Sequence, residues 1–119
     1  MSSNRKKVNS LVGKIGWCDG PTLGLSKGHY VFVRRVYGKN CSVNTFTSIA
    51  RTNGTYDIRK IKMVEDGCIY PIPGKDTSLR RFGGVHKNVI KNVPISSIQN
   101  VGSNSVKRRH HHYIQKYMK

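Results

Sequence analysis

At 119 residues the chain has room for one hydrophobic core, and its 22 Lys and Arg against five Asp and Glu give a formal net charge of +17. That excess opposes compaction by self-repulsion and goes far beyond what solubility needs, so it points to a polyanionic partner, RNA first, whose counterions are released on binding. No stretch approaches the ~18 apolar residues of a spanning helix, and the start MSSNRKKVNS carries no apolar run of a secretory signal. An intracellular, cytoplasmic protein is expected.

In chain order, residues 1–10 read as a mobile basic arm with Arg5, Lys6 and Lys7 adjacent and no periodicity. Leu11 to Trp17 alternates weakly and is interrupted by Gly13 and Gly16; Trp17, the only tryptophan, is expected in the core. The run from Cys18 to Gly28, rich in Gly, Ser and Pro, predicts a long surface loop, the kind of segment that carries binding.

Tyr30–Tyr37 is rich in β-branched and aromatic residues and Cys41–Ser48 alternates, so the two predict a hairpin joined by Gly38-Lys39-Asn40. Cys41, Val43, Thr45 and Thr47 fall on one face of the second strand; Ser42, Asn44, Phe46 and Ser48 fall on the other. Counting symmetrically about Lys39 pairs His29 with Ile49 and leaves Thr47 about 7 Å from His29 at the open end of the hairpin.

Beyond it, Asn53-Gly54 marks a turn, and Asp57–Val64 fits a helix or a strand equally well. Cys68–Pro73 reads as an edge strand because its prolines cannot donate to a ladder. Val93–Val101 reads as a last extended piece or a short helical turn. Residues 107–119 lack Gly and Pro and read as a basic, His-rich tail able to form a terminal helix. The expected architecture is mainly β, a small barrel over 11–106, flanked by the arm 1–10 and the tail 107–119.

The chemistry available is limited. Cys18, Cys41 and Cys68 are odd in number with no CxxC spacing, so buried free thiols are expected rather than disulfides or zinc. His110, His111 and His112 are adjacent and cannot all face one ion from a regular element, so neither a metal nor a cofactor is expected. No P-loop, GxSxG or HExxH motif occurs. Asp19, Asp57, Glu65, Asp66 and Asp76 are scattered, so a two-metal nuclease has no ligand cluster.

RNA cleavage without a metal uses the 2′-hydroxyl of the substrate and needs a base, an acid and a cation. Lys27 and His29 at the entry to the first hairpin strand, with Thr47 and Ser48 at the exit of the second, offer such groups. Arg51 is a further cation for phosphate. Arg80, Arg81, Phe82, His86 and Lys87 combine phosphate contacts with a stacking surface. Lys107, Arg108 and Arg109 form a third basic group.

The run from Lys27 to Val33, followed by a short turn and Val43–Ser48, resembles the core hairpin of the MazF/PemK-like toxins, small SH3-like barrel endoribonucleases of toxin–antitoxin modules. The resemblance covers residues 11–73 loosely and 27–48 best. It implies metal-independent cleavage of single-stranded RNA, with the family's catalytic Arg and Thr or Ser falling at His29 and at Thr47 or Ser48. His29 stands where the family has Arg, and Tyr30 where Pro follows it. An acidic antitoxin protein would be the expected partner, with a homodimer as the assembly to look for. The alternative is a non-catalytic basic module binding nucleic acid or a nucleoprotein, such as a mobile-element-encoded inhibitor, in which His29 has no special role.

Overall fold

The computed structural model describes residues 11–119; the basic arm expected over 1–10 lies outside them. Seven strands form one antiparallel sheet: β1 (Lys14–Cys18), β2 (His29–Tyr37), β3 (Asn40–Ser48), β4 (Ile69–Ile72), β5 (Gly83–His86), β6 (Ile90–Pro94) and β7 (Gln99–Ser105). Their order is β4-β5-β3-β2-β1-β7, with β6 also paired to β3. Among the described residues, three α-helices accompany the sheet: α1 (Gly20–Leu23), α2 (Ile58–Glu65) and α3 (His111–Tyr117). The fold is mainly β with a C-terminal helix, as its composition of β-branched strands and turn residues predicts. Just beyond the strands at the two ends of this order, Thr77 and Val106 form an antiparallel bridge, and the Ser78 N–H donates to Ser105 O at 3.0 Å.

The long strand β3 has β2 along one side; β5 and β6 share the other. Being covered on both faces, it is buried from Cys41 to Thr47, which is why its alternation in sequence mixes Asn and Thr with apolar residues. One face packs Ile15, Phe32, Phe46, Ile72 and Val85 against Ile114 and Met118 of the C-terminal segment. The other packs Val31, Val33, Cys41 and Val43 against Leu23, Val93 and Ile98.

Four readings of the sequence are corrected or refined. The hairpin turns on two residues, with Tyr37 opposite Asn40 and Gly38 at φ 62°, and its register shifts between Val33 and Arg35. Trp17 is 38% exposed and meets Tyr30 edge-on, its ring lying over Gly28, where any Cβ would collide with it. Cys68 is exposed, unlike Cys18 and Cys41. The segment around Gly83-Gly84, read from the sequence only as part of a basic and aromatic contact surface, is strand β5. Its glycines depress strand propensity, but a Cβ on Gly83 would strike Thr47 O at 2.5 Å and one on Gly84 would strike Ile69 at 2.4 Å, so the ladder can close only without them.

The C-terminal segment is no solvated tail. Arg34, at the β2 bulge, is buried and turns beneath α3. Its guanidinium donates to Ile114 O at 2.9 Å, Gln115 O at 2.8 Å and Asn44 Oδ1 at 2.9 Å. Asn44 in turn donates to Met118 O at 2.6 Å and His86 O at 2.8 Å, and the Gln115 amide returns a bond to Arg34 O at 2.7 Å. A cation placed at unsatisfied helix C-terminal carbonyls is stabilised by them and by the helix dipole, so this one sits in the interior without a carboxylate.

Candidate functional site

Residues directly opposite in an antiparallel ladder share a face of the sheet. Tyr30, Phe46, Val85 and Tyr70 therefore form one row across β2, β3, β5 and β4. The next row, reached by continuing the β2–β3 register one step, is His29, Thr47, Gly84 and Pro71, on the opposite face. His29 thus stands directly across from Thr47, not from Ile49, because the turn is one residue tighter than expected and Arg34 is bulged out of register. On the far side of the first row and facing the same way as His29 are Val31, Thr45, His86 and Ile69, with His86 again placed by one further step of the β3–β5 register. Gly84 leaves the space between Thr47 and Pro71 without a side chain.

Helix α2 borders this face. Asp57 caps it, accepting the Arg59 N–H at 3.0 Å, and one turn in, Lys60 Nζ donates to Ser48 O at 2.8 Å. The half-buried His86 imidazole is pushed below its ordinary histidine value, first by burial and then by the charges of His29 and Lys60.

The other expected site residues distribute unevenly. Ser48 lies on the opposite face from Thr47, half-buried across from Gly83. Lys27 is exposed two residues before His29. Arg51 is exposed in a turn closed by Arg51 N–H to Thr55 O at 2.7 Å. Arg80 and Arg81 are exposed and run into Phe82, whose carbonyl accepts from Ile49 and Ala50, so Arg81 stands by the end of β3. Lys87 is exposed beside His86. Lys60 escaped notice in the sequence; it acquires a face only once 57–64 is known to be helical.

Lys107, Arg109 and His110 are gathered elsewhere. All three converge on the buried Asp76, with Lys107 Nζ 3.5 Å from Oδ1 and both Arg109 Nη2 and His110 Nε2 on Oδ2. His110 donates to Asp76 at 2.8 Å, and its Nδ1 lies 2.7 Å from the Tyr70 hydroxyl, which stacks on Tyr113 of α3. Lys107 and Arg109 are exposed cations paired with the buried Asp76, while Arg108, also exposed, lies on a separate cleft with Lys14 and His111.

The His110 hydrogen bond, then that of Arg109, holds the Asp76 carboxyl well below the usual carboxylate range. A carboxyl whose pKa is depressed by folding stabilises the fold above its unfolded value, near 3.9, and loses that contribution as pH falls. The melting temperature of the wild type is expected to drop as pH falls below about 4. Asp76→Asn should melt lower at neutral pH and lose most of that acid dependence; thermal melts across acidic pH check both.

Among the described residues, no group of three or more His, Cys, Asp or Glu is placed to hold a metal ion, and no helix is long and apolar enough to cross a membrane. The chain matches no protein-family model, no curated protein and no solved structure.

Proposed function

We propose that this chain binds single-stranded RNA and cleaves it without a metal ion on the sheet face that carries His29, Thr47 and His86. The observation that carries the reading is that His29, Thr47 and His86 share one face of the sheet, bordered by Lys60 at Ser48 O, in a chain with net charge +17.

His86, favoured in its neutral form, takes the proton of a 2′-hydroxyl as O2′ forms its bond to the adjacent phosphorus. His29 gives a proton to the departing O5′ as the P–O5′ bond breaks, leaving a 2′,3′-cyclic phosphate and a free 5′-hydroxyl. Lys60 spends one of its three donors on Ser48 O and keeps two for the phosphorane; Thr47 bonds a non-bridging oxygen. Lys27, Arg51, Arg81 and Lys87 supply phosphate contacts around the face. The cation next to the chemistry is thus Lys60, with Lys27 and Arg51 farther out.

The resemblance of the Lys27–Ser48 hairpin to MazF/PemK-like toxins agrees with this reading and extends it to a homodimer restrained by an acidic antitoxin. The second reading, a non-catalytic binder, is favoured by the wide scatter of exposed cations from Lys27 to Lys87.

The test is digestion of a mixed RNA in excess EDTA. Wild type is expected to release fragments ending in 2′,3′-cyclic phosphate, and His29→Ala to be slowed about 10²–10⁴-fold with an unchanged melting temperature. Cleavage that stops on chelation, or that His29→Ala leaves intact, overturns the mechanism; salt-dependent binding with no cleavage establishes the second reading.

A further inference from the structure

At the other end of β3 and on its other face, the sheet is opened by two irregularities that meet at one residue. Ser42 pairs with Arg35 where the β2–β3 register has shifted past Arg34. On its other side the β3–β6 register shifts between Cys41 and Val43, so that Lys91 and Asn92 both oppose Ser42. Asn92 holds φ 60°, a left-handed conformation that a non-glycine residue adopts at a cost. Bulges on both neighbours of one residue splay the strands and re-aim their side chains.

The result is an open cleft of about 720 Å³ lined by Arg35, Tyr37, Ser42, Lys91, Asn92 and Lys119, together with the buried Arg34 and the half-buried Gln115. No carboxylate side chain lines it. Arg34 is occupied by the α3 carbonyls, but every ion pair among the described residues is made to Asp76, so Arg35, Lys91 and Lys119 have no acidic partner. Tyr37 is 60% exposed and lies two residues along β2 from Arg35, hence on the same face about 7 Å away. Three unpaired cations beside an exposed aromatic ring and an amide are the equipment for following a phosphate chain and stacking a base.

We infer that this cleft is a second RNA-contact site, which grips a single-stranded segment away from the point of cleavage. It presupposes RNA as the ligand but none of the histidine chemistry: Ser42 lies about 17 Å along β3 from Thr47 and faces the other way. Arg35, Lys91 and Lys119 each neutralise a phosphate, and Tyr37 stacks on one base.

Binding of a 2′-O-methyl oligouridylate, which cannot be cut, tests this against salt. In Arg35→Gln/Lys91→Gln/Lys119→Gln, the slope of log K against log salt should become shallower by about 2, as expected for three lost phosphate contacts on a single strand. Tyr37→Ala should weaken binding about tenfold. The comparison is Arg59→Gln/Lys62→Gln/Lys75→Gln, which removes the same charge from exposed positions outside the cleft and should change the slope by less than half as much. Equal slopes in the two triple variants, or an unchanged affinity in Tyr37→Ala, overturn the cleft while leaving RNA binding standing. A wild type that binds no oligouridylate at all overturns both.

Discussion

Arg34→Leu is expected to lose about 2–5 kcal/mol of stability. The leucine keeps the apolar stem but removes the donor of the Gln115 carbonyl, which accepts at 2.8 Å, and that of the buried Asn44 Oδ1, at 2.9 Å. The Ile114 carbonyl loses the guanidinium but keeps the Met118 N–H. A buried polar group left without its partner costs about 1–3 kcal/mol, and two are affected at once. Against a total of about 5–15 kcal/mol, the variant stands near the threshold of folding. Arg34→Lys should recover only part of the loss, since one ammonium cannot reproduce the planar fork that reaches both carbonyls and Asn44 together. Urea unfolding of the two variants measures this. An Arg34→Leu midpoint close to that of the wild type would mean that α3 is held by Ile114 and Met118 alone.

His86→Gln is expected to lower RNA cleavage at neutral pH by about 10²–10⁴-fold and to change the shape of the pH profile. On the proposed mechanism, wild-type activity should fall on the acid side as the base takes up a proton. Burial and the charges of His29 and Lys60 push His86 down, so that limb should lie below the ordinary histidine value of about 6.5. Glutamine keeps the side chain polar and half-buried but cannot titrate; the residual activity should lack the acid limb. Lys60→Met removes one of the two charges that depress His86, so the same limb should move up toward 6.5 as the rate falls. A limb that stays in place in Lys60→Met, or survives in His86→Gln, would assign the base elsewhere. Reading the profile alongside the rate separates a chemical role from mere loss of fold.

What could be read in the sequence followed the strength of local periodicity. β2 and β3 carry β-branched and aromatic residues in register, and their pairing is visible before any coordinates. Their exact alignment is not, because a bulge is a tertiary decision: Arg34 leaves the ladder to reach carbonyls 80 residues later in the chain. Strand β5 is hidden for the opposite reason. Gly83 and Gly84 look like loop, and only the closeness of Thr47 O and Ile69 explains why glycine is required there. His29 and Thr47 could be brought together from the hairpin alone. His86 was recognised as basic but not as their neighbour, since its place depends on β5, and Lys60 depends on a helix whose short apolar pattern reads either way. The helix of the tail was legible but its docking was not, because its apolar positions are few; Ile114 and Met118 are only two residues, yet both are buried in the main cluster.

The anchoring of α3 also bears on how the chain comes into being. A ribosome releases the sheet residues first, at roughly 5–20 residues per second. Ile15, Phe32, Phe46 and Val85 then have no cover on one face until Ile114 and Met118 emerge, and Arg34 stays without its carbonyls for the same interval. Late in its synthesis the nascent chain is thus a sheet with one core cluster assembled and the other still open beside an unpaired cation. Timing, rather than sequence alone, makes the last few residues decisive: a stop codon a dozen positions early would yield every strand but leave Ile15, Phe32, Phe46 and Val85 without Ile114 and Met118 to cover them.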